Sequence, residues 1–177
     1  NLMSGLCTAA AAMFVCWIAI IFGKIALVGR EGTTDNAQNI ALAGTGLVAG
    51  LTTAFCSSIW FSAVEGEVYA MSTMFTTLVV WGMSKWYSLP DEMENDRWIV
   101  FSLFMAGLSI GVHLLSLLTL PAMALLYYFK KYDNHKPTGF IAAGLAGVMT
   151  MIFIQYFVIV GVPTVWTWME FLMVNTF

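Results

Sequence analysis

The sequence has few charged residues: they make up 10% of its 177 positions, whereas 60% of the positions are hydrophobic. Soluble globular domains carry roughly a quarter charged residues, and the mean hydropathy here is +0.83. This composition excludes an ordinary soluble domain and places the chain in a lipid bilayer. No basic segment precedes the apolar opening at Leu2, so we do not expect the opening to be a secretory signal peptide.

Cysteine pairs are also lacking. Cys7, Cys16 and Cys56 each lie in an apolar run, with no Cys-x-x-Cys spacing and no nearby histidine to complete a ligand pair. They are interpreted as small buried hydrophobic residues rather than as disulfide or metal ligands. There is no internal repeat and no low-complexity tract, and we predict no nucleic-acid partner.

Long apolar runs are abundant. Runs of about twenty apolar residues cross the hydrocarbon core as helices, and four segments fit this length: 1–22, 40–61, 68–86 and 139–160. Residues 98–129 carry no formal charge and would reach about 48 Å as one helix. Fitting that length into a bilayer requires a tilt of about 50°, beyond the usual 0–40°. We therefore predict two short helices with a turn near residues 109–116.

The basic residues favour this hairpin. With the hairpin, all seven fall on one side of the membrane, as the positive-inside rule expects: Lys24, Arg30, Lys85, Arg97, Lys130, Lys131 and Lys136. The predicted fold is all-α: a polytopic transmembrane helical bundle of about six membrane segments, forming a single module over residues 1–177. Loops 23–39, 87–97 and 130–138 are predicted to be cytoplasmic, and both ends of the chain are predicted to lie outside.

The opposite face gathers the candidate functional residues. It holds Glu65, Glu67, His113 and Glu170, with four aromatic side chains around them: Trp60, Tyr69, Trp166 and Trp168. A carboxylate there can take a proton from an acceptor hydroxyl, or hold a divalent cation that balances a lipid phosphate. Residues two apart do not share a helix face, so Glu65 and Glu67 point in different directions.

Simpler explanations of these residues remain open at this point. The two glutamates are equally explained as solvated loop carboxylates or as partners of a helix dipole. His113 is also explained by a hydrogen bond within the turn, and Glu170 with Trp166 and Trp168 by an interfacial aromatic belt. No cofactor or metal is specified by the residues alone.

Two stretches carry a resemblance to a known family. Residues 55–72, Phe-Cys-Ser-Ser-Ile-Trp-Phe-Ser-Ala-Val-Glu-Gly-Glu-Val-Tyr-Ala-Met-Ser, and residues 107–122, Gly-Leu-Ser-Ile-Gly-Val-His-Leu-Leu-Ser-Leu-Leu-Thr-Leu-Pro-Ala, form the two motifs. They resemble a bacterial membrane family related to the eukaryotic transmembrane protein 260, a protein O-mannosyltransferase. The resemblance covers essentially the whole chain.

The resemblance implies a GT-C-type glycosyltransferase in a bacterial inner membrane. Such enzymes use a lipid-phosphate-linked sugar donor, and act on a glycan or protein acceptor at the extracytoplasmic face. Carried over by position, Glu67, Glu65 and His113 are the candidate catalytic residues, and Trp60, Tyr69, Trp166 and Trp168 are candidates for substrate binding. A divalent cation is compatible with this chemistry.

The family's leading catalytic acid lies in a first outer loop, near an Asp-x-Gly-Glu-like motif that does not occur in this sequence. We expect that loop upstream of Asn1, and therefore expect this chain to be an inactive fragment by itself. A transporter or channel segment is an alternative function, although the first two spans hold no acid or base for an ion path. A non-catalytic structural subunit is a further alternative.

Overall fold

The computed structural model describes residues 2–66 and 68–176, and every secondary-structure element in these residues is a helix. The prediction of an all-α fold is confirmed. The chain divides into two compact units, residues 1–119 and residues 120–177.

The described residues of the first unit form five α-helices and two short 3-10 helices. The α-helices are α1 (Leu2–Val28), α2 (Asn36–Phe55), α3 (Ser57–Glu65), α4 (Val68–Ser88) and α5 (Arg97–Ile110); the 3-10 helices are Met93–Asp96 and Leu114–Leu118. Helix α1 packs against α2 and α4, and α4 packs against α5. Asp35 begins α2 by accepting a hydrogen bond from the Gln38 amide at 2.7 Å, while the Gln38 side chain accepts one from the Asp35 amide. This reciprocal pair fixes the turn between α1 and α2.

Two glycines bring α2 close to α1. A Cβ atom on Gly46 would stand 2.6 Å from Ile20 Cγ1, and one on Gly50 would stand 3.3 Å from the Ala12 carbonyl oxygen. Glycines four residues apart allow this close approach of membrane helices. A Cβ atom on Gly44, two residues before Gly46, would meet no described atom within 4 Å.

The glycine contact leads to a stability prediction. Gly46→Leu should destabilise the first unit by about 1–3 kcal/mol, because the new side chain overpacks against Ile20. Gly44→Leu makes the same chemical change on an open face of α2 and should leave stability nearly unaltered. Thermal unfolding of the two variants in detergent measures the difference. Equal midpoints would contradict the packing described here.

An aromatic cluster joins α1, α4 and α5. Trp81 of α4 lies at its centre, with ring centroids 5.3 Å from Trp17, 5.5 Å from Phe14 and 5.4 Å from Trp98. Trp86, in the last turn of α4, is fully buried, and its Nε1 donates a hydrogen bond to the Asp96 carboxylate at 3.1 Å. These contacts hold the α4–α5 link against the bundle.

Within residues 2–66 and 68–176, fewer helices than predicted meet the length and hydropathy expected of a membrane span. Leu2–Val28 and the continuous helix Pro137–Thr176 meet them, and a third does if α2 and α3 form one span with a 56° bend. Six spans are therefore not confirmed. Helices α5 and α6 (Thr119–Lys131) have 14 and 13 residues, and are too short to cross alone.

The uncharged block 98–129 is broken where the sequence predicts. Helix α5 ends at Ile110, residues 111–113 form a turn, and the 3-10 helix Leu114–Leu118 packs on α4 and α5 before α6 begins. The prediction that this block is not one helix is confirmed. Its two arms belong largely to different units, and the transmembrane hairpin stays a prediction.

The second unit pairs α6 with α7 (Pro137–Phe153). A Cβ atom on Gly147 would stand 2.5 Å from Pro121 Cα, and Gly139 lies against the Tyr128 ring. The Tyr128 hydroxyl also bonds to the backbone of Lys136, donating to the oxygen at 3.2 Å and accepting from the nitrogen at 3.1 Å. The turn between the two helices is therefore closed by one tyrosine.

The last helix is longer than the sequence indicates. We predict a span ending near Val160, with an emerging segment 162–170, whereas the helix continues through a π-helical stretch, Ile154–Gly161, into α8 (Val162–Thr176). Pro163 lacks an N–H group and would interrupt regular α-helical bonding. The preceding π-helical turns, with their wider i→i+5 bonds, allow the helix to continue.

Candidate functional site

Glu65 lies at the end of a short helix and faces solvent. It is the last residue of α3, and Gly66 follows it in the left-handed conformation with φ of 74°. A helix C-terminus disfavours negative charge, so the dipole of α3 does not explain a carboxylate at this position. Glu67, the other predicted catalytic acid, lies outside the described residues.

Tyr69 and His113 form the central contact of the candidate site. Tyr69 lies in the first turn of α4 and His113 in the turn after α5, with ring centroids 5.3 Å apart and planes at 50°. The two residues are far apart in sequence, and the packing of α4 and the 3-10 helix brings them together. Two of the residues predicted to share a site therefore do lie together.

Two buried serines fix the turn that carries His113. The Ser109 hydroxyl lies within hydrogen-bonding reach of the Ser116 hydroxyl, and the Ser116 hydroxyl lies 3.0 Å from the His113 carbonyl, to which it donates. Both serines are almost completely buried. Because these bonds form in a water-poor environment, they hold the turn in one conformation. These serines flank the Gly-Val-His segment, but they are not among the residues that the sequence predicts for the site.

The hydrogen bonding of His113 determines which ring nitrogen is available. Its Nδ1 accepts a hydrogen bond at 3.1 Å from the backbone amide of Leu115, which begins the 3-10 helix. In a neutral imidazole with one nitrogen accepting, the other carries the proton. Nε2 is therefore the donor that His113 presents to a ligand, and the ring is half-buried beside Tyr69.

Trp60 lies near the break between α2 and α3. Its ring stacks on Phe55 with centroids 6.0 Å apart and planes at 17°. Both rings are more than half exposed, at 54% and 70%. This exposed pair offers an apolar face to a lipid tail or a sugar ring, and its substrate role stays a prediction.

Trp166, Trp168 and Glu170 all lie on α8 in the second unit, and all three are exposed. Their predicted part in the site is untested, and they are treated separately from the residues of the first unit.

The basic residues of the first unit lie at the end of the bundle opposite to Tyr69. Lys85 is in the last turn of α4, and Lys24 is near the end of α1. Arg30 stands over the Tyr87 ring at 5.1 Å, and Arg97 is the first residue of α5. One end of this unit therefore carries its lysines and arginines, and the other carries Glu65, Tyr69 and His113.

Among the described residues, no group of three or more histidine, cysteine or acidic side chains is placed to hold a metal ion. Glu65 and His113 are the described residues at this end of the first unit whose side chains could ligate a metal ion.

Comparison with known proteins gives one family. The model described as Protein O-mannosyl-transferase TMEM260 N-terminal domain matches residues 1–136. The matched region contains Trp60, Glu65, Tyr69 and His113, and it ends just before α7. No curated protein and no solved structure matches the chain.

Proposed function

The chain belongs to the family of the TMEM260 protein O-mannosyl-transferase N-terminal domain, and from this membership we propose that it is the membrane module of a GT-C-type glycosyltransferase. The proposed donor is a sugar linked to a lipid phosphate, and the proposed acceptor is a hydroxyl group, of a protein by analogy with the family's name. The proposed site is the end of the first unit that carries Glu65, Tyr69 and His113.

The contact between Tyr69 and His113 is the observation that carries this proposal. It brings together parts of both sequence motifs, one from the start of α4 and the other from the turn after α5. A histidine held by a buried hydrogen-bond chain is suited to an oriented contact with a substrate. An aromatic ring beside it suits a sugar face.

The proposed reaction gives each group a defined task. The bond between the anomeric carbon and the donor's phosphate oxygen breaks, and the lipid phosphate leaves with the electron pair. The acceptor hydroxyl oxygen bonds to that carbon, and its proton passes to a carboxylate, for which Glu67 and Glu65 are the candidates. His113 Nε2 donates a hydrogen bond to the departing phosphate, whose charge increases as the bond breaks.

The charge distribution supports an extracytoplasmic location for this site. Lysine and arginine concentrate in cytoplasmic loops, and in the first unit they lie at the end opposite to the site. Under that orientation, the site opens to the face where a lipid-linked donor meets a secreted or membrane-bound acceptor.

A transfer assay with the full-length protein tests the proposal. The protein in proteoliposomes should transfer mannose from a polyprenyl-phosphate donor to a peptide containing serine and threonine. It should not use a nucleotide sugar, because the proposed site recognises the membrane-embedded donor. Mass spectrometry of the peptide detects the added hexose.

Protein-free liposomes supply the control for that assay. Transfer from the nucleotide sugar with none from the lipid donor would contradict the proposed donor class. Loss of transfer when the acceptor is confined to the face of the lysine-rich loops would support the orientation, and transfer on that face alone would reverse it.

A further inference from the structure

A cavity lies at the lysine-bearing end of the first unit. Its volume is about 390 Å³, and it opens between α1, α2 and α4. The polar part is lined by Lys24, Lys85, Thr34, Asn39 and Ser88. The apolar part is lined by residues of α1 and α2, chiefly Ile20, Ile21 and Leu42.

The charge of this cavity is positive. Lys24 and Lys85 come from different helices, both are half-buried, and none of the described residues that line the cavity is acidic. The nearest acid in sequence to its lining residues, Asp35, has a side-chain oxygen bonded to the Gln38 amide as the cap of α2. Two ammonium groups on one small cavity repel each other unless an anion lies between them.

The neutral polar groups add a hydrogen-bond donor. The Thr34 hydroxyl donates to the Asn39 side-chain oxygen at 2.7 Å. This bond engages the amide oxygen and leaves the Asn39 NH₂ group as a donor beside the two lysines. Ammonium and amide N–H groups together are the donors that phosphate oxygens accept from.

The cavity is also amphipathic, which narrows the choice of anion. A free phosphate ion makes no favourable contact with the isoleucine and leucine side chains of the apolar wall. A phospholipid, in contrast, carries acyl chains directly beside its phosphate, and these chains can contact that wall. Basic pockets between membrane helices on the cytoplasmic side bind anionic lipid headgroups. We propose that this cavity binds the phosphate of an anionic membrane phospholipid, with Lys24 and Lys85 holding the charge.

This lipid site is separate from the candidate sugar-transfer site. Tyr69 and Lys85 lie sixteen residues apart on α4, which corresponds to about 24 Å along the helix. The cavity is therefore placed to hold a resident lipid at the opposite end of the bundle, and a donor at the transfer site would not occupy it.

Native mass spectrometry of the full-length protein in detergent tests the lipid site. Phosphatidylglycerol and phosphatidylcholine with identical acyl chains are the probes, and each is added over a range of concentrations. Wild-type protein should bind phosphatidylglycerol more tightly than phosphatidylcholine. The double variant Lys24→Gln/Lys85→Gln should weaken that binding about tenfold or more, since each lysine near an anionic lipid contributes to affinity.

Two further variants separate specific binding from general loss of charge. Lys131→Gln/Lys136→Gln also removes two positive charges, but from the second unit, and it should bind phosphatidylglycerol as the wild type does. Lys24→Arg/Lys85→Arg keeps both charges and should retain binding. Thermal unfolding of each variant without added lipid shows whether the bundle remains folded.

Three results would overturn the proposal. Equal binding of the two lipids would show that the lysines only extend toward the membrane surface. Unchanged binding by a folded glutamine variant would exclude this cavity. Binding of inorganic phosphate at micromolar concentration, with displacement of the lipid, would assign the cavity to a soluble phosphate compound instead.

Discussion

His113→Asn is expected to reduce sugar transfer by the full-length protein about 100- to 1000-fold while leaving it folded. The expected magnitude is that of removing one hydrogen-bond donor aimed at developing negative charge. In the structure, His113 uses Nδ1 to accept from the Leu115 amide, so Nε2 is the atom available to a substrate.

Asparagine is chosen because it separates the two nitrogens of the imidazole. Its short side chain still offers an acceptor to the Leu115 amide, and asparagine is a favoured residue at a helix start. It does not extend to the position of Nε2. The hydrogen bond from the Leu115 amide is therefore kept, and the proposed hydrogen bond from Nε2 to the departing phosphate is removed.

Initial rates at saturating and limiting donor concentration measure the effect. A fall in kcat with little change in KM indicates an interaction made mainly in the transition state. His113→Gln, which reaches further but caps less well, should recover part of the activity at some cost in stability. Full activity of a folded His113→Asn protein would exclude the proposed role.

The sequence predicts the fold best where the length of an apolar run determines the position of a helix. Runs of apolar residues predict where α1, α2, α4 and α7 begin to within four residues, because each segment must satisfy its backbone polar groups with internal hydrogen bonds in the bilayer. Helix α1 continues past Lys24 to Val28, since a lysine near a helix end can extend its charge to the membrane surface.

The breaks in helices were harder to predict. The bend at Cys56 has neither proline nor glycine at the break. Cys56 adopts an extended conformation there, and its amide donates to the Thr53 carbonyl at 3.3 Å. Conversely, Pro163 predicted a helix end that does not occur. The π-helical turns before it accommodate a residue that cannot donate a backbone hydrogen bond. Tertiary packing and local register determine both outcomes, and neither is visible in residue type.

For the candidate site, charge distribution was more informative than motif chemistry. The count of lysines and arginines placed Tyr69 and His113 on one face, and the structure brings their rings into contact. It did not predict the Ser109–Ser116 chain that orients His113. Serines in an apolar helix usually bond to their own backbone, so a pairing across a turn depends on the fold.

The two glutamates beside Gly66 are expected to differ in effect, and Glu67→Gln should have the largest effect of any substitution considered. We expect at least about a 1000-fold loss of transfer, because a glutamine cannot take the acceptor proton and general-base catalysis contributes about 10²–10⁴. Glu65→Gln removes the same charge two residues earlier, from the exposed last turn of α3, and should cost less than about tenfold. Rates for both variants across pH, with donor binding measured in parallel, distinguish a lost base from lost affinity. If the larger loss falls on Glu65→Gln, the base is Glu65, and if both variants retain wild-type rates, neither glutamate is the base that deprotonates the acceptor.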